Sequence, residues 1–141
     1  LAKTIELDAL LFSKIQTKED VLEAARLIEE VNPNLSLMIM IETPLSVLNI
    51  HEICAASSKV EVVVVGSNKL ANRLHIDVKK GSKAMFNYLS QIALASKAYG
   101  KTVIDGPHFD VNDEFACEDS TKDAFNLGFD GKSLVRPVQI E

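Results

Sequence analysis

The sequence predicts an α/β fold in which parallel strands alternate with helices. Short runs of β-branched and other apolar residues, such as VEVVVV at 60–65, recur along the chain with helical stretches between them. Alternation of this kind is typical of parallel strands joined by right-handed helical crossovers. The run LSLMIMI at 35–41 is apolar almost throughout, as expected of a strand that is covered on both faces.

Five strands are predicted from these runs. In chain order they cover residues 8–15, 35–41, 60–65, 102–104 and 130–135. The repeat of about 28 residues matches the unit of a (β/α)₈ TIM barrel, which has about 250 residues in eight units. Only about five such units fit into 141 residues. The single domain predicted for 1–141 is therefore either an open five-stranded sheet or the larger part of a barrel.

Four helical segments connect the predicted strands. The first follows Thr17, which forms a T-x-x-D capping pattern with Asp20, and it stops before Asn32. The others cover residues 46–56, 82–99 and 113–127, with Gly100 and Gly128 as C-terminal stops. One stripe of the 82–99 helix is predicted to face the core and contains Met85, Phe86, Leu89, Ile92, Ala93 and Ser96.

Composition and charge exclude several classes of protein. With 47% apolar and 25% charged residues, the chain has a globular composition. A net charge of -5 and the lack of a basic cluster argue against a nucleic-acid partner. No apolar run approaches the roughly 20 residues of a membrane helix. Cys54 and Cys117 lack C-x-x-C spacing, so we expect packing roles in a reducing compartment, the cytoplasm or the mitochondrial matrix.

Charged residues lie at or just after the end of every predicted strand. They are Lys14, Glu42, Lys69, Asp105 and Arg136. The carboxyl ends of parallel strands form one edge of the sheet, where α/β proteins place their functional sites. We therefore expect these five side chains to converge on a common rim. The alternative is that strands carry charges at their ends simply because the chain leaves the core there.

Glu42 is the most informative of these residues, because it follows a buried strand and precedes Thr43-Pro44. A carboxylate at this edge suits Mg²⁺, which prefers one or two carboxylates together with substrate oxygens and water. Alternatively, Glu42 interacts with the N-terminal dipole of the next helix. The backbone amides of Gly66-Ser67-Asn68 are candidates for binding a carboxylate or phosphate, and His108 is a candidate acid–base residue. The sequence has neither a G-x-G-x-x-G motif nor a P-loop.

Four segments resemble the citrate lyase β-chain family, which belongs with the HpcH/HpaI-type aldolases. Residues 40–49, MIETPLSVLN, are similar to its IETPxGVLN segment, and 60–74 are similar to its strand followed by G-x-x-D-L. Ile104-Asp105-Gly106 with Asp110 resembles the IDG-xxxD segment, and 128–140 resemble the GFDGKxLIHPxQI ending. Lys14 falls where the family has a Pro-Lys pair. The resemblance covers nearly the whole chain in order and spacing.

This resemblance implies a TIM barrel of which the chain forms strands 4 to 8, without the family's substrate-binding Arg on an earlier strand. It implies carbon–carbon lyase or aldolase activity on an acyl-CoA or 2-oxo acid, with Mg²⁺ stabilising the enolate as a Lewis acid. Glu42 would be the metal ligand, and Lys14 and Lys69 are the candidate catalytic residues. The candidate substrate-binding residues are Thr43, Gly66, Ser67, Asn68 and Asp105.

The chain departs from the family pattern at positions that bear on chemistry. The second acidic metal ligand, the Asp of G-x-x-D-L, is replaced by Lys69. The motif positions for Gly, His and Pro are taken by Ser46, Arg136 and Ser13. An ammonium repels Mg²⁺, so we expect weak or no Mg²⁺ binding. We predict instead that the Lys69 ammonium pairs with the Glu42 carboxylate.

Two other functions remain open at this stage. One is a non-catalytic paralogue or binding module, and the other is a five-stranded receiver-like signalling domain. A half-barrel would leave two free strand edges and an apolar inner face. We therefore expect a homo-oligomer or a completing chain in addition to a small carboxylate or acyl-CoA ligand.

Overall fold

The strands form one five-stranded sheet in which all neighbours are parallel and the order follows the chain, β1-β2-β3-β4-β5. The computed structural model describes residues 7–77, 83–108, 110 and 112–140. The strands are β1 (Ala9–Phe12), β2 (Ser36–Ile41), β3 (Val60–Val65), β4 (Thr102–Asp105) and β5 (Gly131–Lys132). Receiver-like domains have the order 2-1-3-4-5. The consecutive order therefore excludes the receiver alternative and is the order of a (β/α) barrel.

Six helices connect the strands within the described residues. They are α1 (Lys18–Val31), α2 (Pro44–Leu48), α3 (Ile50–Ala55), α4 (Ser67–Arg73), α5 (Lys83–Ala98) and α6 (Glu114–Asn126), and a 3₁₀ helix follows at Pro137–Ile140. The predicted capping of α1 is confirmed, because the Asp20 amide donates to Thr17 Oγ1 (3.3 Å) and the Thr17 amide donates to Asp20 Oδ2 (2.9 Å). Gly100 has φ +66 and Gly128 has φ +91, the left-handed conformation of a helix stop.

The core lies between one face of the sheet and the helices. Leu37, Ile39 and Ile41 of β2 alternate with less buried neighbours, and Val63 and Val103 continue the same buried layer. The opposite face carries Leu11, Met38, Val62 and Thr102 in register, and these residues are half-buried or exposed. The prediction that β2 is covered on both faces is therefore wrong for the described chain.

Several predicted boundaries are also wrong. β1 ends at Phe12 rather than near Lys14, because Lys14 has a left-handed φ of +63 that no strand accommodates. The predicted 46–56 helix is two short helices that meet at Asn49. β5 has two residues instead of six. On α5, Met85, Ile92, Ala93 and Ser96 are buried as predicted, but Phe86 is exposed; Ser82 lies outside the described residues.

Candidate functional site

The carboxylate of Glu42 lies at the carboxyl end of β2 and is almost fully buried. Its Oε2 accepts a hydrogen bond from Lys69 Nζ at 2.8 Å, which confirms the predicted pairing of the two residues. Its Oε1 accepts the backbone N–H of Lys14 at 3.2 Å. Both oxygens therefore bind groups from outside α2, which does not favour the helix-dipole interpretation of Glu42.

Gly66 allows β3 to approach Glu42 closely. A Cβ atom on Gly66 would lie 2.6 Å from Glu42 Cβ, nearer than carbon atoms tolerate. The Gly66 amide donates to the Ile41 carbonyl at 2.8 Å and so extends the pairing of β2 with β3. The expectation that this amide binds a substrate anion is therefore wrong, because its proton is already donated within the sheet.

The left-handed backbone of Lys14 places its amide on Glu42, although only glycine adopts such a φ without cost. Thr43 caps α2 beside this carboxylate: its Oγ1 accepts the Ser46 amide (3.0 Å) and the Gln16 side-chain amide (3.3 Å). The Thr43 hydroxyl is buried in these contacts. Its structural role is as an N-cap that fixes the residue next to Glu42.

A second ion pair lies at the end of β4. Asp105 Oδ2 accepts from Lys132 Nζ at 2.5 Å, and both side chains are less than 10% exposed, at 8% and 7%. The Ser67 hydroxyl donates to Asp105 Oδ1 at 3.3 Å. Gly66 therefore packs against Glu42 of the first ion pair, and Lys69 is the other member of that pair. Ser67, between them in the sequence, contacts Asp105 of the second ion pair. The start of α4 connects the two ion pairs at one edge of the sheet.

The sheet edge brings together Glu42, Lys69, Asp105 and the backbone amide of Lys14, four of the five charged positions that the sequence predicted. Arg136 is exposed, and its amide donates to Gln139 Oε1 at 3.1 Å in the segment before the 3₁₀ helix. Because β5 ends at Lys132, Arg136 does not directly follow this strand, and its convergence on the rim stays a prediction. Lys132 is the cation that the sequence reasoning missed, although it lies in the DGK part of the segment that resembles the family.

A groove of about 630 Å³ opens beside the second ion pair. Asp105, Lys132, Ser67 and Asn68 line one part of it, and α5 adds apolar side chains that include Met85 and Leu89. The α6 side and the loop before it add the carboxylates of Asp110, Asp113, Asp119 and Asp123. His108 also borders the groove, and its Nε2 is buried without a hydrogen-bond partner.

The predicted packing role of Cys54 is confirmed: it is buried on α3, and burial raises the pKa of its thiol to about 11.

The donor set around Glu42 does not fit Mg²⁺. A hard divalent cation requires oxygen ligands, whereas the side chain that contacts Glu42 Oε2 is an ammonium. In the described part of the chain, no group of three or more His, Cys, Asp or Glu side chains is arranged to hold a metal ion. Within the same residues, no helix has the length and apolar character needed to cross a bilayer.

Comparison with known proteins agrees with the fold and with the residues of the sheet edge. The family model described as HpcH/HpaI aldolase/citrate lyase matches residues 2–137. The chain belongs to this family. It is 34% identical over 134 residues to a (3S)-malyl-CoA thioesterase from Cereibacter sphaeroides, and 28% identical over 142 residues to citrate lyase subunit beta from Escherichia coli K12. Each alignment covers 95% of this chain but only 45% and 47% of those relatives.

Solved structures of other proteins share the fold. RipC from Yersinia pestis superposes with a TM-score of 0.89 at 23% identity, and the superposition covers 96% of this chain and 61% of the RipC chain. A citrate lyase beta subunit from M. tuberculosis, complexed with oxaloacetate and magnesium, superposes with a TM-score of 0.78 at 22% identity and covers 94% of this chain and 58% of that one. The five parallel strands described here thus match part of the fold of these structures.

Proposed function

We propose that this chain forms strands 4 to 8 of a TIM-barrel carbon–carbon lyase that acts on an acyl-CoA or a 2-oxo acid. The consecutive strand order supports this proposal, as do the outer edges of β1 and β5, which pair with no other strand among the described residues. The chain spans 45% of the malyl-CoA thioesterase and 47% of the citrate lyase subunit beta named above, which leaves room in such proteins for the other strands. In this proposal a completing chain or a second copy covers the open face of the sheet.

The observation that carries the function is the pair of ion pairs at the carboxyl end of the sheet. Cleavage of a carbon–carbon bond next to a carbonyl leaves an enolate, and a fixed positive charge nearby lowers its energy. Lys69 and Lys132 are held by Glu42 and Asp105 at 2.8 and 2.5 Å, so their ammonium groups are already oriented. Ser67 and Asn68 border the same edge and are the proposed substrate-binding side chains.

The groove supports an acyl-CoA as the ligand. Its volume of about 630 Å³ is within the range of ligand pockets and exceeds the size of a free 2-oxo acid. The apolar side chains of α5 suit a thioester with its methylene arm, while the Lys132 ammonium suits a carboxylate. Relatives of this chain include a citramalyl-CoA lyase from Rattus norvegicus and malyl-CoA thioesterases, which are named for acyl-CoA substrates.

Magnesium is expected to bind weakly or not at all, because Lys69 holds the carboxylate that would ligate it. The same contact supports a second candidate function, a non-catalytic paralogue that binds the ligand without cleaving it.

One experiment separates the two candidates. The purified protein is incubated with malyl-CoA and citramalyl-CoA, and the CoA species are separated by chromatography with and without Mg²⁺. Products of carbon–carbon cleavage that disappear in Lys69→Gln support the lyase. Ligand binding by calorimetry with no cleavage product supports the non-catalytic paralogue. A micromolar Mg²⁺ dissociation constant that Glu42→Gln abolishes would contradict the proposed loss of the metal.

A further inference from the structure

Lys69 is the exposed half of an ion pair whose other half is buried. The Glu42 side chain is 4% exposed, whereas that of Lys69 is 63% exposed. Most ion pairs on protein surfaces have two exposed members, and neither side chain holds the other firmly in one position. Here the buried carboxylate is fixed by the Lys14 amide and by the close approach of Gly66, so it holds the ammonium in one place.

The ammonium keeps hydrogen-bonding capacity for another ligand. A lysine ammonium has three N–H donors, and one of them is used by Glu42 at 2.8 Å. The exposed fraction of Lys69 shows that the side chain is open to solvent. Lys132 differs in this respect, because it is 7% exposed and pairs with an equally buried Asp105. Of these two oriented cations, Lys69 is the one that a ligand from solvent can reach.

The local charge also favours an anion. The charge of Glu42 is balanced by Lys69, and that of Asp105 is balanced by Lys132. A divalent cation that approached the Glu42 carboxylate would be repelled by the Lys69 ammonium, whereas a carboxylate that reached Lys69 would be attracted by it.

We infer that the Lys69 ammonium binds the carboxylate of a small 2-oxo acid directly, so that binding needs no divalent cation. The inference rests on the proposed function for its ligand class alone, and it assigns to Lys69 the role of an anion-binding residue. Glu42 then acts as the residue that positions Lys69.

Calorimetric titration of the protein with pyruvate tests this inference. The dissociation constant is measured at low ionic strength, once with EDTA and once with millimolar Mg²⁺. We expect the two values to agree within about twofold. Because a charge-assisted hydrogen bond contributes more than a neutral one, Lys69→Gln should weaken binding by about tenfold or more, and Lys69→Arg should retain it within about threefold.

Lys122 provides a matched control. It is 66% exposed and pairs with the Glu118 carboxylate at 2.7 Å on α6, so it resembles Lys69 in exposure and partner type. Lys122→Gln should leave pyruvate binding unchanged. Thermal melting of each variant shows whether it is folded, and the Lys69→Arg variant separates loss of the charge from loss of the fold.

Three results would overturn the inference. They are the absence of pyruvate binding in the unmodified protein, loss of binding in EDTA, and unchanged binding in folded Lys69→Gln. Acyl-CoA cleavage is measured separately. A protein that binds pyruvate through Lys69 but cleaves no acyl-CoA supports the inference and contradicts the proposed lyase function.

Discussion

At the scale of single residues, the candidate site depends on how closely the ends of β2 and β3 approach. Gly66 has an ordinary negative φ of -86, which any residue can adopt. A glycine is needed at this position because a side chain would not fit, and not because of the backbone conformation. Its missing side chain leaves room for the Glu42 carboxylate between the Lys14 amide and the Lys69 ammonium. A residue without chemistry of its own thus determines where the charged residues lie.

Gly66→Ala should destabilise the protein, because the added methyl group would lie 2.6 Å from Glu42 Cβ. Overpacking of this kind costs about 1–3 kcal/mol, which urea unfolding measures. Gly131→Ala is the control, because a Cβ there meets nothing within 4 Å. If Gly66→Ala were as stable as Gly131→Ala, the close approach of the two strands would be disproved.

The second ion pair gives a further prediction. Lys132→Met should cost about 3–5 kcal/mol in the free energy of unfolding, because it leaves the buried Asp105 carboxylate without its cation. The double variant Asp105→Asn/Lys132→Met should recover part of that loss. Lys97→Met is the control: it removes one member of an exposed pair with Asp130 and should cost less than about 1 kcal/mol. Equal losses for Lys132→Met and Lys97→Met would contradict the buried pair.

Lys69→Asp should create a Mg²⁺ site. It replaces the ammonium beside Glu42 with a second carboxylate, and paired carboxylates suit this cation. Added Mg²⁺ should raise the melting temperature of Lys69→Asp by several degrees while leaving the unmodified protein and Lys69→Asn unchanged. A Mg²⁺-induced rise of the same size in all three proteins would show that Lys69 does not govern metal binding.

At the scale of elements, α1 shows how much of a helix start is local. The reciprocal Thr17–Asp20 contacts were predictable because they join residues three apart. Hydrogen bonds from the Gln16 and Thr17 amides to the carboxylate lower the pKa of Asp20 below its ordinary value of 3.8. Short helices behave differently: α2 and α3 meet at Asn49, whose side chain donates to the Gln16 carbonyl at 2.9 Å, a contact 33 residues away.

The lowered pKa of Asp20 makes the stability of α1 dependent on pH. A carboxyl whose pKa is lower in the folded state stabilises the protein above the pKa of the unfolded chain, and the effect is lost as pH falls through the folded value. The unmodified protein should therefore be more stable than Asp20→Asn at pH 7, and the difference should begin to shrink below about pH 4 and vanish only below the lowered pKa of the folded state. Glu19→Gln, in the same turn, is the control. A difference that grew on acidification would contradict this assignment.

Thr17→Ala should lower the free energy of unfolding by about 1 kcal/mol, because it removes the side chain that caps α1.

At the scale of the whole molecule, the described residues cover one face of the sheet with helices and leave much of the other face half-buried or exposed. Val63 and Val103 are fully buried, whereas Leu11 on the opposite face is 47% exposed, in register with Met38 and Val62. In a closed barrel, that face is the packed interior. Exposed apolar sheet faces and unpaired strand edges promote association.

We therefore predict that the 141-residue chain on its own associates with itself. Size-exclusion chromatography with light scattering should give a mass above one chain, and Leu11→Lys should shift the distribution towards the monomer. Leu22→Lys is the matched control, because Leu22 is 51% exposed on the outer surface of α1. A monomer with a cooperative thermal transition would contradict a half-barrel and favour an independent open sheet.

The sequence alone determined the features that depend on neighbouring residues. The alternation of apolar runs with capped helical stretches predicted parallel strands, and the end of the buried run at Ile41 placed Glu42 at the carboxyl edge. These predictions hold because hydrophobic periodicity and capping act within a few residues. The pairing of Lys69 with Glu42, 27 residues apart, was predicted in another way, from the resemblance, which puts both residues at the ends of neighbouring strands.

Only the tertiary structure decided the long-range partners of Asp105, Lys14 and Gly66. The pairing of Asp105 with Lys132, 27 residues apart, was not predicted from the sequence, and β5 is shorter than its apolar pattern suggested. The left-handed conformation of Lys14 and the engaged amide of Gly66 follow from contacts with β2, which no local pattern encodes. Strand length and backbone strain are set by the packing of whole elements, so they are fixed when the sheet assembles.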